Sequence, residues 1–127
     1  MKTNESQENY LETILVLSEK LPVVRSIDIA EELNFKKSSI SIAMKNLREK
    51  ELITVTKAGF IYLTDEGKKI AKMIYERHKI LSEGLMMLGV SPEIALEDAC
   101  RIEHDISPAS FKAIKSMVVS HRDTKKE

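Results

Sequence analysis

The chain has 127 residues, 43% hydrophobic and 31% charged, which is enough apolar side chain for one ordered core or two small ones. Lysine plus arginine equals aspartate plus glutamate at 20 each, so global charge names no partner and any nucleic-acid footprint must be local. A single cysteine excludes an internal disulfide and points to a cytoplasmic protein. No apolar run nears the roughly 18–20 residues that span a bilayer, and the polar start MKTNESQENY lacks a signal-peptide core, so no membrane partner is expected.

The elements follow in chain order. Residues 5–20 read as an amphipathic helix, with Tyr10, Leu11, Ile14, Leu15 and Leu17 as its apolar stripe and Pro22 beyond its end. Ser26 is the expected N-cap of a short helix, IDIAEELN, with Asp28 near its positive end. Leu33-Asn34-Phe35 reads as a tight turn, since Asn tolerates left-handed backbone. KKSSISIAMKNLREK forms the next helix, with Ile40, Met44 and Leu47 on one face. LITVTKAGFIYLT then alternates about Lys57-Ala58-Gly59 and predicts a hairpin. Thr64 caps a long helix through about Leu88, whose apolar side carries Ile70, Met73, Ile74, Leu81, Leu85 and Leu88, and Gly89 stops it. Ser91-Pro92 and Ser107-Pro108 each start a further helix, the last holding Phe111, Ile114, Met117 and Val118. SHRDTKKE reads as a polar tail.

This order predicts a mostly α protein with a small β-hairpin wing. Residues 1–70 form a winged helix-turn-helix DNA-binding domain, and residues 71–127 an all-helical dimerisation and metal-binding domain. The long helix runs from one into the other.

A helix that enters a major groove needs short polar side chains near its N-terminus and cations for the phosphates. Lys36, Lys37, Ser38, Ser39, Ser41 and Lys45 supply them at the start of the second helix of the helix-turn-helix. Ile42 lies on the outer face, where it meets a thymine methyl, and Lys57 at the hairpin tip meets a phosphate. Taken alone, Lys-Lys-Ser-Ser is a solvated capping cluster. Its place before a wing favours DNA.

A second constellation is ACRIEHD. Cys100, Glu103 and His104 stand at i, i+3 and i+4, positions that share one face of a helix. Spacing alone leaves two readings open. One is a metal site; the other is a buried small hydrophobe at Cys100 with Glu103 and His104 at the surface. His78, in YERHKIL, and Asn9 and Glu12 on the first helix carry no signal singly, and His121 falls in the polar tail.

The residues nevertheless resemble a family. ENYLETI, SIDIAEEL, SSISIAMKNL, IYLTDEGKKIA, RHKIL, LGV and ACRIEHDIS together are similar to the diphtheria-toxin-repressor family of metal-dependent bacterial repressors, which includes the manganese transport regulators. The resemblance runs nearly end to end, and ACRIEHDIS is its most specific element. It implies a homodimer with two winged helices on one palindromic, double-stranded operator, and a site for Fe2+ or Mn2+ between the DNA-binding and dimerisation domains. It also implies the short form, without an SH3-like domain.

By the same resemblance His78, Cys100, Glu103 and His104 match metal-ligand positions. Glu12 matches an acidic ligand of the manganese-type members. Asn9 stands where relatives carry Met or Asp, and offers only a neutral carbonyl oxygen. Cys100 is what iron-type members carry. Leu96 and Ser82 replace residues of an ancillary site, which is therefore not expected.

A thiolate shifts preference away from Mn2+ toward Fe2+, so Fe2+ is the expected effector and Mn2+ the alternative, with Co2+, Ni2+ or Zn2+ as in-vitro substitutes. The expected function is metal-dependent repression of metal-uptake genes, with metal fixing the spacing of two recognition helices. No His-Glu-x-x-His motif or other catalytic signature occurs, so neither an enzyme nor a small-molecule substrate is expected. The competing reading is a metal-independent winged-helix regulator that senses a small molecule, a redox state or a protein partner.

Overall fold

The structure, a computed structural model, describes residues 2–125, with side chains described for 5–122. Its elements are α1 (Lys2–Lys20), α2 (Ser26–Leu33), α3 (Lys37–Glu49), β1 (Ile53–Val55), β2 (Ile61–Leu63), α4 (Asp65–Met87), α5 (Pro92–Ile102) and α6 (Pro108–Lys125). The expected mostly α architecture with a winged helix-turn-helix is what the chain adopts. It divides into two compact units, Met1–Met73 and Ile74–Glu127, with the division inside α4. Among the described residues no helix is long and apolar enough to cross a membrane.

In the first unit α1 packs on α2, α3 and β2. Its stripe of Leu11, Ile14, Leu15 and Leu17 is buried, as are Ile29 and Ala30 of α2 and Ile40, Met44 and Leu47 of α3. Burying a Leu or Ile side chain contributes roughly 1.5–3 kcal/mol each, so these faces hold the three helices together. Tyr10 is half-buried, edge-on to Phe35 at 6.4 Å between ring centres. The cap of α2 falls at Arg25 rather than Ser26. The Arg25 backbone N–H donates to Asp28 Oδ2 at 2.9 Å, so the third helical residue reaches back and Ser26 becomes the first. Asn34 ends α2 in the left-handed region at φ 58°.

The wing is an antiparallel pair in register Ile53 with Leu63, Thr54 with Tyr62 and Val55 with Ile61. Ile53 and Ile61 turn inward. The Ile61 N–H donates to the Val24 carbonyl at 2.8 Å, tying the hairpin to the segment before α2. Thr64 caps α4 as expected, its Oγ1 accepting the Gly67 N–H at 3.1 Å.

In the second unit Ile80, Phe111 and Val118 form a cluster, flanked by Met87, Ile106 and Ile114. Gly89 closes α4 at φ 99°, and the Val90 N–H reaches back to the Leu85 carbonyl at 3.0 Å. Leu88, expected on the inner side of α4, lies beyond the helix end and is 77% exposed. Residues 120–125 of the expected polar tail are instead the end of α6, where Arg122 pairs with Glu83 on α4; residues 126–127 lie outside the described residues.

Candidate metal centre and nucleic-acid interface

The DNA-facing candidates gather on the exposed side of α3 and at the wing. Lys36 is the N-cap of α3, and Lys37, Ser38, Ser39, Ser41 and Lys45 are all exposed on it. Ile42 is 64% exposed on a helix whose buried face is already filled by Ile40, Met44 and Leu47. Lys57 is exposed in the turn between β1 and β2, which closes by the Gly59 N–H donating to the Thr56 carbonyl at 2.9 Å. Hydroxyls, cations and one outward apolar side chain therefore share an accessible face.

The second unit brings His78, Cys100 and Glu103 together. One ligand atom of each lies within 4.8 Å of the other two. His78 comes from α4 and Cys100 from α5, with Sγ to Nδ1 at 3.8 Å. Glu103 is not in α5 but at its C-cap, and His104 lies in the turn that follows. The expected single helix face is thus shared between a helix end and a turn. Burial reverses what the structural alternative for ACRIEHD required. Cys100 is exposed, while the Glu103 side chain is 0% and the His104 side chain 1% exposed.

The electrostatics of the cluster favours positive charge beside Glu103. Glu103 Oε2 stands 3.2 Å from His78 Nδ1, and Oε1 stands 3.5 Å from His104 Nε2. Among the described residues neither oxygen accepts an aligned hydrogen bond. A carboxylate held out of water needs positive charge beside it. The His78 imidazole responds to this surrounding. The Cys100 sulfur first, and then the Glu103 carboxylate, favour its protonated form over the opposing effect of burial, raising its pKa to about 10. A divalent ion satisfies the same need, and the imidazole, thiol and carboxylate donors fit a first-row metal.

Asn9 and Glu12 lie on α1 in the first unit, half-buried and one helical turn apart, and the Asn9 carbonyl accepts the Thr13 hydroxyl at 2.8 Å. His121 is exposed on α6.

One residue escaped the sequence reading. Arg77 is 9% exposed, and its Nη1 donates to the Glu103 carbonyl at 3.0 Å and to the Ile106 carbonyl at 3.2 Å. Its only sequence signal is its place beside His78 in YERHKIL, since a buried arginine cannot be told from an exposed one by type.

Comparison with known proteins also finds two domains, meeting just before α4. Residues 2–59 match the iron-dependent repressor N-terminal DNA-binding domain, and residues 64–124 the iron-dependent repressor metal-binding and dimerisation domain. The chain is similar to the transcriptional regulator MntR of Escherichia coli O6:H1, at 33% identity over 90% of this chain and 74% of that one. It is also similar to the HTH-type transcriptional regulator MntR of Bacillus velezensis, at 35% identity over 95% of this chain and 85% of that one. Among solved structures the manganese regulator SloR superposes with a TM-score of 0.79 at 26% identity over 88% of this chain, which spans about half, 53%, of that protein's length. The chain belongs to the iron-dependent-repressor family, the family of the MntR proteins, whose members are metal-dependent transcriptional regulators and not enzymes.

Proposed function

We propose that the chain is a homodimeric repressor that binds a palindromic operator when His78, Cys100, Glu103 and His104 hold a divalent first-row metal, and that its targets are metal-uptake genes. The observation that carries this reading is Glu103, a fully buried carboxylate facing two imidazoles, with no aligned hydrogen bond to either oxygen among the described residues. Glu12 as an acidic ligand, and Asn9 through its carbonyl oxygen, are proposed on the family resemblance. The metal takes the place of the proton on His78 as the positive charge beside Glu103. Residues 1–70 read DNA, through Lys36, Lys37, Ser38, Ser39, Ser41 and Lys45 on phosphates and base edges, Ile42 on a thymine methyl and Lys57 on a phosphate. Residues 71–127 bind metal and dimerise. Exposed apolar side chains at Leu88, Ile94, Leu96 and Met117 support the second role.

Fe2+ is the preferred ion, because the Cys100 sulfur stands in the cluster and a soft donor disfavours Mn2+. Mn2+ is the second reading, favoured by the likeness to the manganese regulator SloR. The test is an anaerobic gel shift on the promoter of the chain's own gene, titrated with Fe2+, Mn2+ and chelator. Retardation that requires metal, and is lost in Cys100→Ala and His104→Ala, is expected. Retardation indifferent to chelator and to both variants would sink the metal reading in favour of a metal-independent regulator. Mn2+ acting where Fe2+ fails at equal free concentration would reverse the choice of ion.

A further inference from the structure

A guanidinium is costly to bury, and a well-packed apolar residue of similar size would fill the same space with no charge to desolvate. Arg77 is buried all the same, and among the described residues its Nε has no hydrogen-bond partner. Packing alone therefore does not account for it. What it does hold is specific. Nη1 takes the carbonyls of both Glu103 and Ile106, and the guanidinium lies over the Phe111 ring at 5.5 Å.

Those carbonyls bound the turn that follows α5. The last carbonyls of a helix lack partners within it, and a cation there also suits the helix dipole. Residues 99–106 contain neither glycine nor proline to end the helix. The Asp105 and Ile106 N–H groups instead both fold back on the Ile102 carbonyl, at 3.0 and 3.1 Å, and Arg77 closes the turn from α4. His78 is the next residue of that helix. One short piece of backbone therefore carries a proposed ligand and also grips the segment that carries two more.

We infer that Arg77 is the positioning residue of the metal centre: by clamping the 103–106 turn to α4, it sets where Glu103 and His104 stand relative to His78. This rests on the reading of the cluster as a metal site. Arg77 is not itself a ligand; it acts through the turn, as outer groups around metal ligands do.

The test uses the full-length protein and Co2+ under anaerobic conditions, whose absorption reports both thiolate and the geometry of the ligand set. Arg77→Lys keeps the stem and charge but lacks the planar fork. Arg77→Met keeps an unbranched apolar stem but removes charge and fork alike. Each is expected to weaken Co2+ binding by about 10–100-fold and to change the ligand-field bands. Val118→Ala, a cavity variant in the same unit, is the control. It loses thermal stability but keeps wild-type Co2+ affinity and spectrum. Wild-type affinity and bands in either folded Arg77 variant overturn the inference. A second measurement needs no variant: in metal-loaded wild-type protein the Arg77 guanidinium hydrogens exchange slowly, and exchange at the solvent rate overturns the inference equally. A wild-type protein that fails to bind Co2+ refutes the metal site itself, an outcome distinct from failure of the positioning role.

Discussion

Half-buried His78 stands against the Cys100 sulfur and the buried Glu103 carboxylate, and both favour its protonated form. The protonated His78 occupies this arrangement when no metal does. Its folded-state pKa of about 10 lies above the ordinary histidine value of 6.5. The folded chain therefore binds this proton more tightly than the unfolded chain does. That contribution to stability is complete below pH 6.5 and is lost as pH rises through about 10. Metal binding must displace the same proton, so apparent metal affinity rises with pH over the same window. Thermal melts from pH 6 to 10 should thus show the chelated protein losing stability with rising pH, while the metal-saturated protein loses less. Cys100→Ala, which removes the larger cause of the raised pKa, should flatten the slope of the chelated protein. An unchanged slope in Cys100→Ala would mean that the sulfur does not hold the proton on His78.

At the scale of elements, most of the fold was legible because its stops and starts are local. Asn34 in the left-handed region, Thr64 capping α4, Gly89 at its end and Pro92 opening α5 each act through their own backbone or side chain. The stops that were not legible are tertiary. α5 ends at Ile102 with no glycine or proline, where Arg77 gathers carbonyls from another helix. Two residues past the end of α3 the chain turns at Glu51, φ 61°, whose carbonyl accepts the Thr64 hydroxyl at 2.8 Å. α6 continues into a charged tail whose Arg122 pairs with Glu83. For the site, the cluster of His78 with Cys100 and Glu103 was readable from family motifs, but the burial of Glu103 and the part of Arg77 were not. Gly67 shows how tertiary context reverses a local rule. Gly to Ala inside a helix ordinarily gains roughly 1 kcal/mol. Here a Cβ would stand 2.0 Å from the Leu52 carbonyl oxygen, a backbone atom that also accepts the Thr64 N–H at 3.1 Å, just ahead of β1. Overpacking of this kind costs about 1–3 kcal/mol, and the clash wins. Gly67→Ala should lower Tm by several degrees and weaken operator binding by displacing the wing, with Co2+ binding near wild type. A rise in Tm would show that the α4 N-terminus yields freely.

For the molecule as a whole, a regulator of this family is a coupling between two equilibria, and coupling is reciprocal. If metal tightens operator binding by some factor, operator must tighten metal binding by the same factor. Metal that binds only the folded chain also stabilises it, by ~2.7 kcal/mol at a free concentration of 100 Kd. The two effects separate cleanly. Stabilisation requires only that the folded state holds the ion, whereas coupling requires that the ion discriminates between conformations that differ in affinity for DNA. Glu12→Ala tests this separation, because Glu12 lies on α1 in the first unit while His78, Cys100, Glu103 and His104 lie in the second. The variant should keep most of the metal-induced rise in Tm yet lose most of the metal dependence of operator binding. Calorimetric metal titrations with and without operator, set beside operator titrations with and without metal, measure all four sides of the cycle. The wild type should show one coupling factor from both directions, and Glu12→Ala a factor near unity. A Glu12→Ala protein that retained the full wild-type factor would confine the regulatory ligand set to the second unit.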